Sequence, residues 1–199
     1  MVMRIYGRPT SRARRVLWVA RMLGLDFENV PVTPEEMRQP AYLALNPNGK
    51  MPALRDGDVT LFESHAILLY LARKYGAGGP AALYPATVED EARLWQWVLW
   101  ATNEVDPLTT ICLVERLVRQ PPERDDAKAD AAEVALAKPL GVLEGALQDR
   151  AWLIADRFTA ADIAVASTLA LARRSGIDLS PFPAVERWLD DCLSLEPQA

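Results

Sequence analysis

Short apolar strands and amphipathic helices alternate in the first part of the chain. Apolar residues alternate with others in Val2–Tyr6, which predicts a strand. In Ser11–Leu23 they recur at helical spacing, which predicts a helix with one buried face that ends at Gly24. Phe27–Val32 contains a second predicted strand. Because one helix joins these two strands, we expect them to be parallel and connected by a right-handed crossover.

The stretch Asn46–Ala72 carries a hairpin and a helix in little chain. Its apolar runs Ala53–Arg55 and Val59–Phe62 are separated by a Gly-containing turn, which predicts the hairpin. Ser64 precedes the next apolar run and is the expected N-cap of the helix. The T-x-x-E pattern at Thr33–Glu36 predicts a short helical turn further upstream. The order β-α-β-α-β-β-α thus predicts an α/β domain with a mixed, four-stranded sheet.

The pattern becomes purely helical after a segment rich in glycine, alanine and proline. Gly76–Pro85 has the composition of a linker, and no convincing strand follows it. We therefore expect an α/β domain over residues 1–77, a linker over residues 78–86 and an all-helical domain over residues 87–199.

Cap motifs and prolines punctuate the predicted helical domain. Helices are expected after Thr87, over Asp125–Leu147, over Ala160–Arg174 and over Pro181–Leu193. Pro107 should kink or interrupt the first of these, and Pro139 should make the second irregular. Thr159 and Asp162 form a capping pair at the start of the third helix. That helix is apolar almost all round, which predicts that it is the central helix of a bundle.

Composition excludes several classes of function. Half of the residues are hydrophobic and a quarter are charged, as in ordinary soluble proteins. The net charge of −5 argues against nucleic acid as a partner. No apolar run reaches the roughly 18–20 residues of a membrane span, and the first residues lack a signal-peptide core. We therefore expect no membrane association and a cytoplasmic location.

Few residues are suited to metal or redox chemistry. Cys112 and Cys192 lie far apart and are expected to be two buried thiols. His65 is the only histidine, so neither a metal site nor a Ser-His-Asp triad is expected. We expect His65 to cap a helix or to lie in an interface.

Four motifs resemble those of the cytosolic glutathione S-transferase superfamily, in particular its serine-type, bacterial-like members. They are Ile5–Gly24, NPNGKMPAL at Asn46–Leu54, ESHAI at Glu63–Ile67 and FTAAD at Phe158–Asp162. They occur in family order and spacing over nearly the whole chain. The resemblance implies a thioredoxin-like first domain, a helical second domain and a homodimer.

Glutathione is the co-substrate that the resemblance implies, with no metal. Ser64 and the free N–H groups of its helix suit the γ-glutamyl carboxylate, and Glu63 suits the ammonium group. By the resemblance, the backbone of Met51 pairs with the cysteine of the peptide, and Pro52 is cis. Lys50 is a candidate contact for the glycine carboxylate.

The catalytic group must stabilise a thiolate at neutral pH. A thiol has a pKa of about 8.5, and a hydroxyl donor at a helix N-terminus would lower it. Ser11 and Thr10 stand where the first strand gives way to the first helix, with Ser11 the first choice. Tyr6 is the only tyrosine near this point, and the arginines that follow Ser11 make this end electropositive, although such arginines usually form a solvated face.

The function expected from these residues is glutathione transfer. The thiolate would attack an electrophilic, largely apolar small molecule held between the domains. One alternative is a glutathione-dependent peroxidase or isomerase, which uses the same thiolate. The other is a non-catalytic binding or regulatory module of the same fold.

Overall fold

A computed structural model of the chain describes residues 2–78 and 82–198. These residues form two compact units, one that extends to Ala86 and includes the segment from Glu196, and one over Thr87–Leu195. Residues 79–81 of the predicted linker lie outside the described residues. Arg14 in the first unit donates from Nε to Glu196 Oε1 at 2.9 Å, which attaches the C-terminal segment to that unit.

The first unit contains a four-stranded sheet in the order β2-β1-β3-β4. The elements are β1 (Met3–Tyr6), α1 (Ala13–Met22), β2 (Phe27–Val30), a 3-10 turn (Glu36–Arg38), α2 (Pro40–Leu43), β3 (Ala53–Asp56), β4 (Val59–Phe62) and α3 (Ser64–Tyr75). β1 and β2 are parallel, while β1–β3 and β3–β4 are antiparallel. The predicted element order and the mixed sheet are confirmed.

Each face of the sheet has its own apolar packing. On one face α1 packs against α3, and the two helices contact β1, β3 and β4. On the other face a smaller cluster forms around Val32, Tyr42 and Ala53, with Met37 and Met51 packed against it. Tyr42 reaches this cluster because it lies on α2, a short helix that the hydrophobic pattern did not predict.

Two local predictions in this unit have different outcomes. Thr33 and Glu36 make a reciprocal capping box, since Glu36 N donates to Thr33 Oγ1 at 3.2 Å and Thr33 N donates to Glu36 Oε2 at 2.7 Å. The prediction that Ser64 is the N-cap of α3 is wrong. Ser64 is the first residue of the helix, and Glu63 holds the cap position with φ +70°.

The described part of the second unit is helical. Its elements are α4 (Val88–Trp100), a π-helical segment (Ala101–Val105), α5 (Asp106–Leu113), a second π-helical segment (Val114–Val118), α6 (Asp126–Leu147), α7 (Ala160–Arg174) and α8 (Pro183–Ser194). The interruption expected at Pro107 is confirmed, because α4 has ended and Pro107 lies in the first turn of α5. At Pro139, where an irregularity was expected, α6 continues unbroken.

α7 is the central helix of the second unit. Nearly all of its residues are buried, and α4, α5 and α8 all pack against it. Its start is fixed by Asp162, which accepts hydrogen bonds from Thr159 N at 2.9 Å and Leu153 N at 3.0 Å. Trp188 Nε1 of α8 also donates to Asp162, at 3.0 Å. Burial raises the pKa of the Asp162 carboxyl, while these donors act in the opposite direction.

The two cysteines are buried and free of disulfides, as predicted. Burial raises the pKa of the Cys112 thiol and that of the Cys192 thiol. Neither thiol is therefore an activated nucleophile.

Candidate functional site

The register of the sheet brings three loops to one edge. The first loop joins β1 to α1, the second precedes β3, and the third joins β4 to α3. Tyr6 is paired with Ala53 across β1 and β3, and Ala53 is paired with Phe62 across β3 and β4. Because both strand pairings are antiparallel, the residue after β1, the residue before β3 and the residue after β4 also meet at this edge. They are Gly7, Pro52 and Glu63, and each belongs to a motif that the sequence identified.

Gly7 sits where the first loop touches the second. A Cβ at Gly7 would lie 2.6 Å from Ala13 Cβ and 3.6 Å from Met51 Cβ, and φ of Gly7 is +149°. Asn29 secures the same turn, since its Nδ2 donates to Gly7 O at 3.0 Å and to Ile5 O at 3.1 Å. The close approach of the backbone at Gly7 thus allows the start of α1 to lie beside Met51.

Ser11 lies just before the first helix and is partly exposed. Its Oγ donates to Arg8 O at 2.7 Å and accepts from Ala13 N at 3.1 Å, so the side chain satisfies the first N–H of α1 from one residue before the N-cap Arg12. Donation to a ligand would require the hydroxyl to leave Arg8 O. Thr10 precedes it in the same turn and is exposed.

The second loop is held from inside the domain. Met51–Pro52 is a cis peptide bond, which confirms the expectation for Pro52. Tyr42 OH and Asn46 Nδ2 both donate to Lys50 O, at 2.8 Å and 2.6 Å. This anchors the backbone just before Met51, while the Lys50 side chain is exposed. Burial raises the pKa of Tyr42 to about 12, so it is a neutral donor here.

The third loop delivers the N-terminus of α3 to the same edge. Glu63 has φ +70° and ψ 112°, a backbone conformation that is unfavourable for a residue with a side chain, and that side chain is exposed. Ser64 is buried. The first N–H groups of a helix lack partners within the helix and carry its positive end, so this position favours an anion.

Arg15 is the site residue whose surroundings were predicted least well. The arginines after Ser11 were expected to make this end electropositive, with a solvated face as the alternative. The alternative does not hold for Arg15, because it is 1% exposed. Its Nη1 lies 3.4 Å from Ser64 Oγ and contacts the ring of His65. α1 therefore braces the start of α3 through a buried cation.

The seven predicted site residues fall into groups according to where they lie relative to the shared edge. Met51, Pro52, Glu63 and Ser64 lie at or next to the shared edge, with Ser11 and Thr10 in the loop that leaves Gly7. For Lys50, the hydrogen bonds from Tyr42 and Asn46 fix the backbone carbonyl but not the side chain. Gly7, Asn29, Asn46 and Arg15 were missed as site residues, since their roles depend on contacts between distant segments.

No candidate metal centre is found within residues 2–78 and 82–198, where no group of at least three His, Cys, Asp or Glu side chains could hold an ion. In the same residues, no helix has both the length and the apolar character needed to cross a bilayer.

Family models match both units of the chain. The glutathione S-transferase N-terminal domain matches residues 1–73, and the glutathione S-transferase C-terminal domain matches residues 106–196. The chain belongs to the glutathione S-transferase family. The resemblance noted in the sequence and the two-part fold are thereby confirmed.

Named relatives are similar over most of the chain. It is 38% identical to glutathione S-transferase 3 of Zea mays, covering 94% of this chain and 86% of the relative. It is 32% identical to glutathione S-transferase GstB of Escherichia coli strain K12, covering 92% and 89%. The theta class glutathione S-transferase of Xanthomonas axonopodis pv. citri, solved with glutathione bound, superimposes with a TM-score of 0.90 at 28% identity, covering 100% and 98%.

Replacing Gly7 by alanine should both destabilise the first unit and weaken its site. The new Cβ would lie 2.6 Å from Ala13 Cβ, so α1 or the loop must move. We expect the free energy of unfolding to fall by roughly 2 kcal/mol. We also expect weaker binding of glutathione, because Met51 lies against Gly7. Urea unfolding and calorimetric titration measure the two effects.

Gly141→Ala is the matched control for this variant. A Cβ at Gly141 in α6 meets nothing within 4 Å, so alanine should raise stability by up to about 1 kcal/mol through its helix propensity. If Gly7→Ala behaved like Gly141→Ala, the close approach at Gly7 would be of no consequence.

Proposed function

We propose that this protein is a glutathione transferase that joins the glutathione thiol to an electrophilic, largely apolar small molecule. The observation that carries the proposal is the sheet edge shared by Gly7, Pro52 and Glu63. A cis proline, a hydroxyl-bearing loop and a helix N-terminus converge there. Relatives named glutathione S-transferases support the transferase function.

The third loop suits the γ-glutamyl head of glutathione. In this proposal the head's carboxylate takes hydrogen bonds from Ser64 and from the free N–H groups of α3. Glu63, whose side chain is exposed, accepts from the head's ammonium group. The positive end of α3 favours the carboxylate in this orientation.

The second loop suits the rest of the peptide. The Met51 backbone next to Pro52 pairs with the cysteine of glutathione, in the manner of an added strand. The exposed Lys50 side chain meets the glycine carboxylate. The anchoring of Lys50 O by Tyr42 and Asn46 supports a fixed backbone at this point.

The first loop supplies the group that activates the thiol. Ser11, with Thr10 as its alternative, donates its hydroxyl hydrogen to the sulfur and stabilises the thiolate. The thiol releases its proton to solvent, and the sulfur of the thiolate then forms a bond to the electrophilic carbon while the leaving group departs with its bonding electrons. With an activated double bond, the sulfur bonds to one carbon and water supplies a proton to the other. Neither cysteine of the protein takes part.

The proposal also includes the organisation of the chain. Residues 1–77 bind glutathione, residues 78–86 form the linker, and residues 87–199 line the pocket for the electrophile. The protein acts as a homodimer in the cytoplasm.

Binding and turnover together test this function. We expect calorimetry to give saturable binding of glutathione, and we expect conjugation to a chlorodinitrobenzene to be saturable in both substrates. Binding without conjugation would favour a non-catalytic module. Turnover of an organic hydroperoxide alone would favour the peroxidase alternative. Absence of both binding and turnover would refute the proposal.

A further inference from the structure

A buried arginine stands directly behind the proposed γ-glutamyl site. Arg15 is on α1, is 1% exposed, and is followed in sequence by the buried Val16 and Leu17. A guanidinium in apolar surroundings is costly unless it is hydrogen-bonded. Its Nη1 is directed to the first turn of α3, where His65 Nε2 lies 2.5 Å away, His65 Nδ1 lies 3.1 Å away and Ser64 Oγ lies 3.4 Å away.

Hydrogen-bond chemistry fixes the roles of these groups. A guanidinium has donors and no acceptor, so the Ser64 oxygen that faces Arg15 must accept. The Ser64 hydroxyl hydrogen is then available to donate elsewhere.

The bond from Arg15 also fixes the orientation of the Ser64 side chain. An aliphatic side chain in place of Arg15 would leave the Ser64 oxygen without this donor and the Ser64 rotamer free to change. Arg15 therefore influences binding of an anion without itself lying at the exposed sheet edge.

We propose that Arg15 is a positioning residue that holds Ser64 with its hydroxyl hydrogen turned toward the γ-glutamyl carboxylate of glutathione. This inference rests on the proposed function. Arg15 acts through Ser64, and it strengthens binding of glutathione in the ground state and the transition state equally. Loss of Arg15 then raises KM for glutathione and leaves kcat unchanged.

A double-mutant cycle tests this dependence on Ser64. We expect Arg15→Gln to raise KM for glutathione roughly 10-fold or more, with kcat and KM for the electrophile within about 2-fold of wild type. In a Ser64→Ala background the same change should alter KM for glutathione by no more than about 2-fold, since the group it positions is gone. Arg15→Lys, which retains a cationic donor, should restore part of the affinity.

The controls separate positioning from general damage. Arg21→Gln lies on the same helix, away from Ser64, and should leave KM for glutathione at the wild-type value. Thermal unfolding shows whether Arg15→Gln is folded. If Arg15→Gln does not fold, Arg15→Lys takes its place in the double-mutant cycle. An equal KM increase with and without Ser64, or a fall in kcat alone, would overturn the inference.

The outcomes also distinguish this inference from the proposed function. A wild-type protein that neither binds nor conjugates glutathione overturns both. A wild-type protein that does both, while Arg15→Gln leaves KM for glutathione unaltered, overturns only the role of Arg15.

Discussion

Replacing Asp162 by alanine should lower the free energy of unfolding of the helical unit by roughly 3–5 kcal/mol. Asp162 is fully buried at the start of α7. Its two oxygens accept from Leu153 N, Trp188 Nε1, Thr159 N and Thr159 Oγ1, at 2.9–3.1 Å. Alanine would leave buried donors on three different segments without an acceptor. The loss should therefore far exceed that of an ordinary helix cap, about 1 kcal/mol.

Urea unfolding monitored by circular dichroism measures this loss. Asp149→Ala is the matched control, because Asp149 is exposed, and its unfolding free energy should stay within about 0.5 kcal/mol of wild type. The unfolding free energy of Asp162→Asn should lie between those of Asp162→Ala and Asp149→Ala, since an amide retains one acceptor oxygen and turns an N–H group toward donors. A loss below about 1 kcal/mol in Asp162→Ala would contradict the central role of this carboxylate.

Replacing Ser11 by alanine should slow conjugation at neutral pH on the order of 10²-fold. In the proposed mechanism the Ser11 hydroxyl donates to the sulfur, so its loss lets the pKa of bound glutathione rise toward the ordinary thiol value of about 8.5. Affinity for glutathione should change little, because in the proposal the second and third loops hold the peptide. The rate should recover at high pH, where the thiolate forms without help.

The pH profile of conjugation and the ultraviolet absorbance of bound thiolate measure this effect. Ser11 Oγ also accepts from Ala13 N, so Ser11→Ala should cost about 1 kcal/mol of stability, which a thermal melt would detect. Thr10→Ala is the decisive comparison. If Thr10→Ala shifts the pH profile and Ser11→Ala does not, then Thr10 is the thiol-activating residue.

Features that depend on neighbours in the chain were determined by the sequence. The bounds of α7, Ala160–Arg174, follow from the capping pair Thr159–Asp162 and a continuous apolar run, and both are local. The bounds of β4, Val59–Phe62, likewise follow from a short apolar segment after a glycine turn. The family motifs are also stretches of consecutive residues, so the fold class followed from them.

Features that depend on the surroundings of a residue were decided by the tertiary structure. Arg15 resembles its arginine neighbours in sequence, and only the packing of α1 against α3 buries it beside Ser64. α2 forms although it lacks a periodic apolar face, because Tyr42 enters a cluster on the sheet. The meeting of Gly7, Pro52 and Glu63 depends on strand register, which pairs residues distant in the chain. The sequence therefore predicted which loops carry the proposed chemistry, while long-range pairing brought them to one edge.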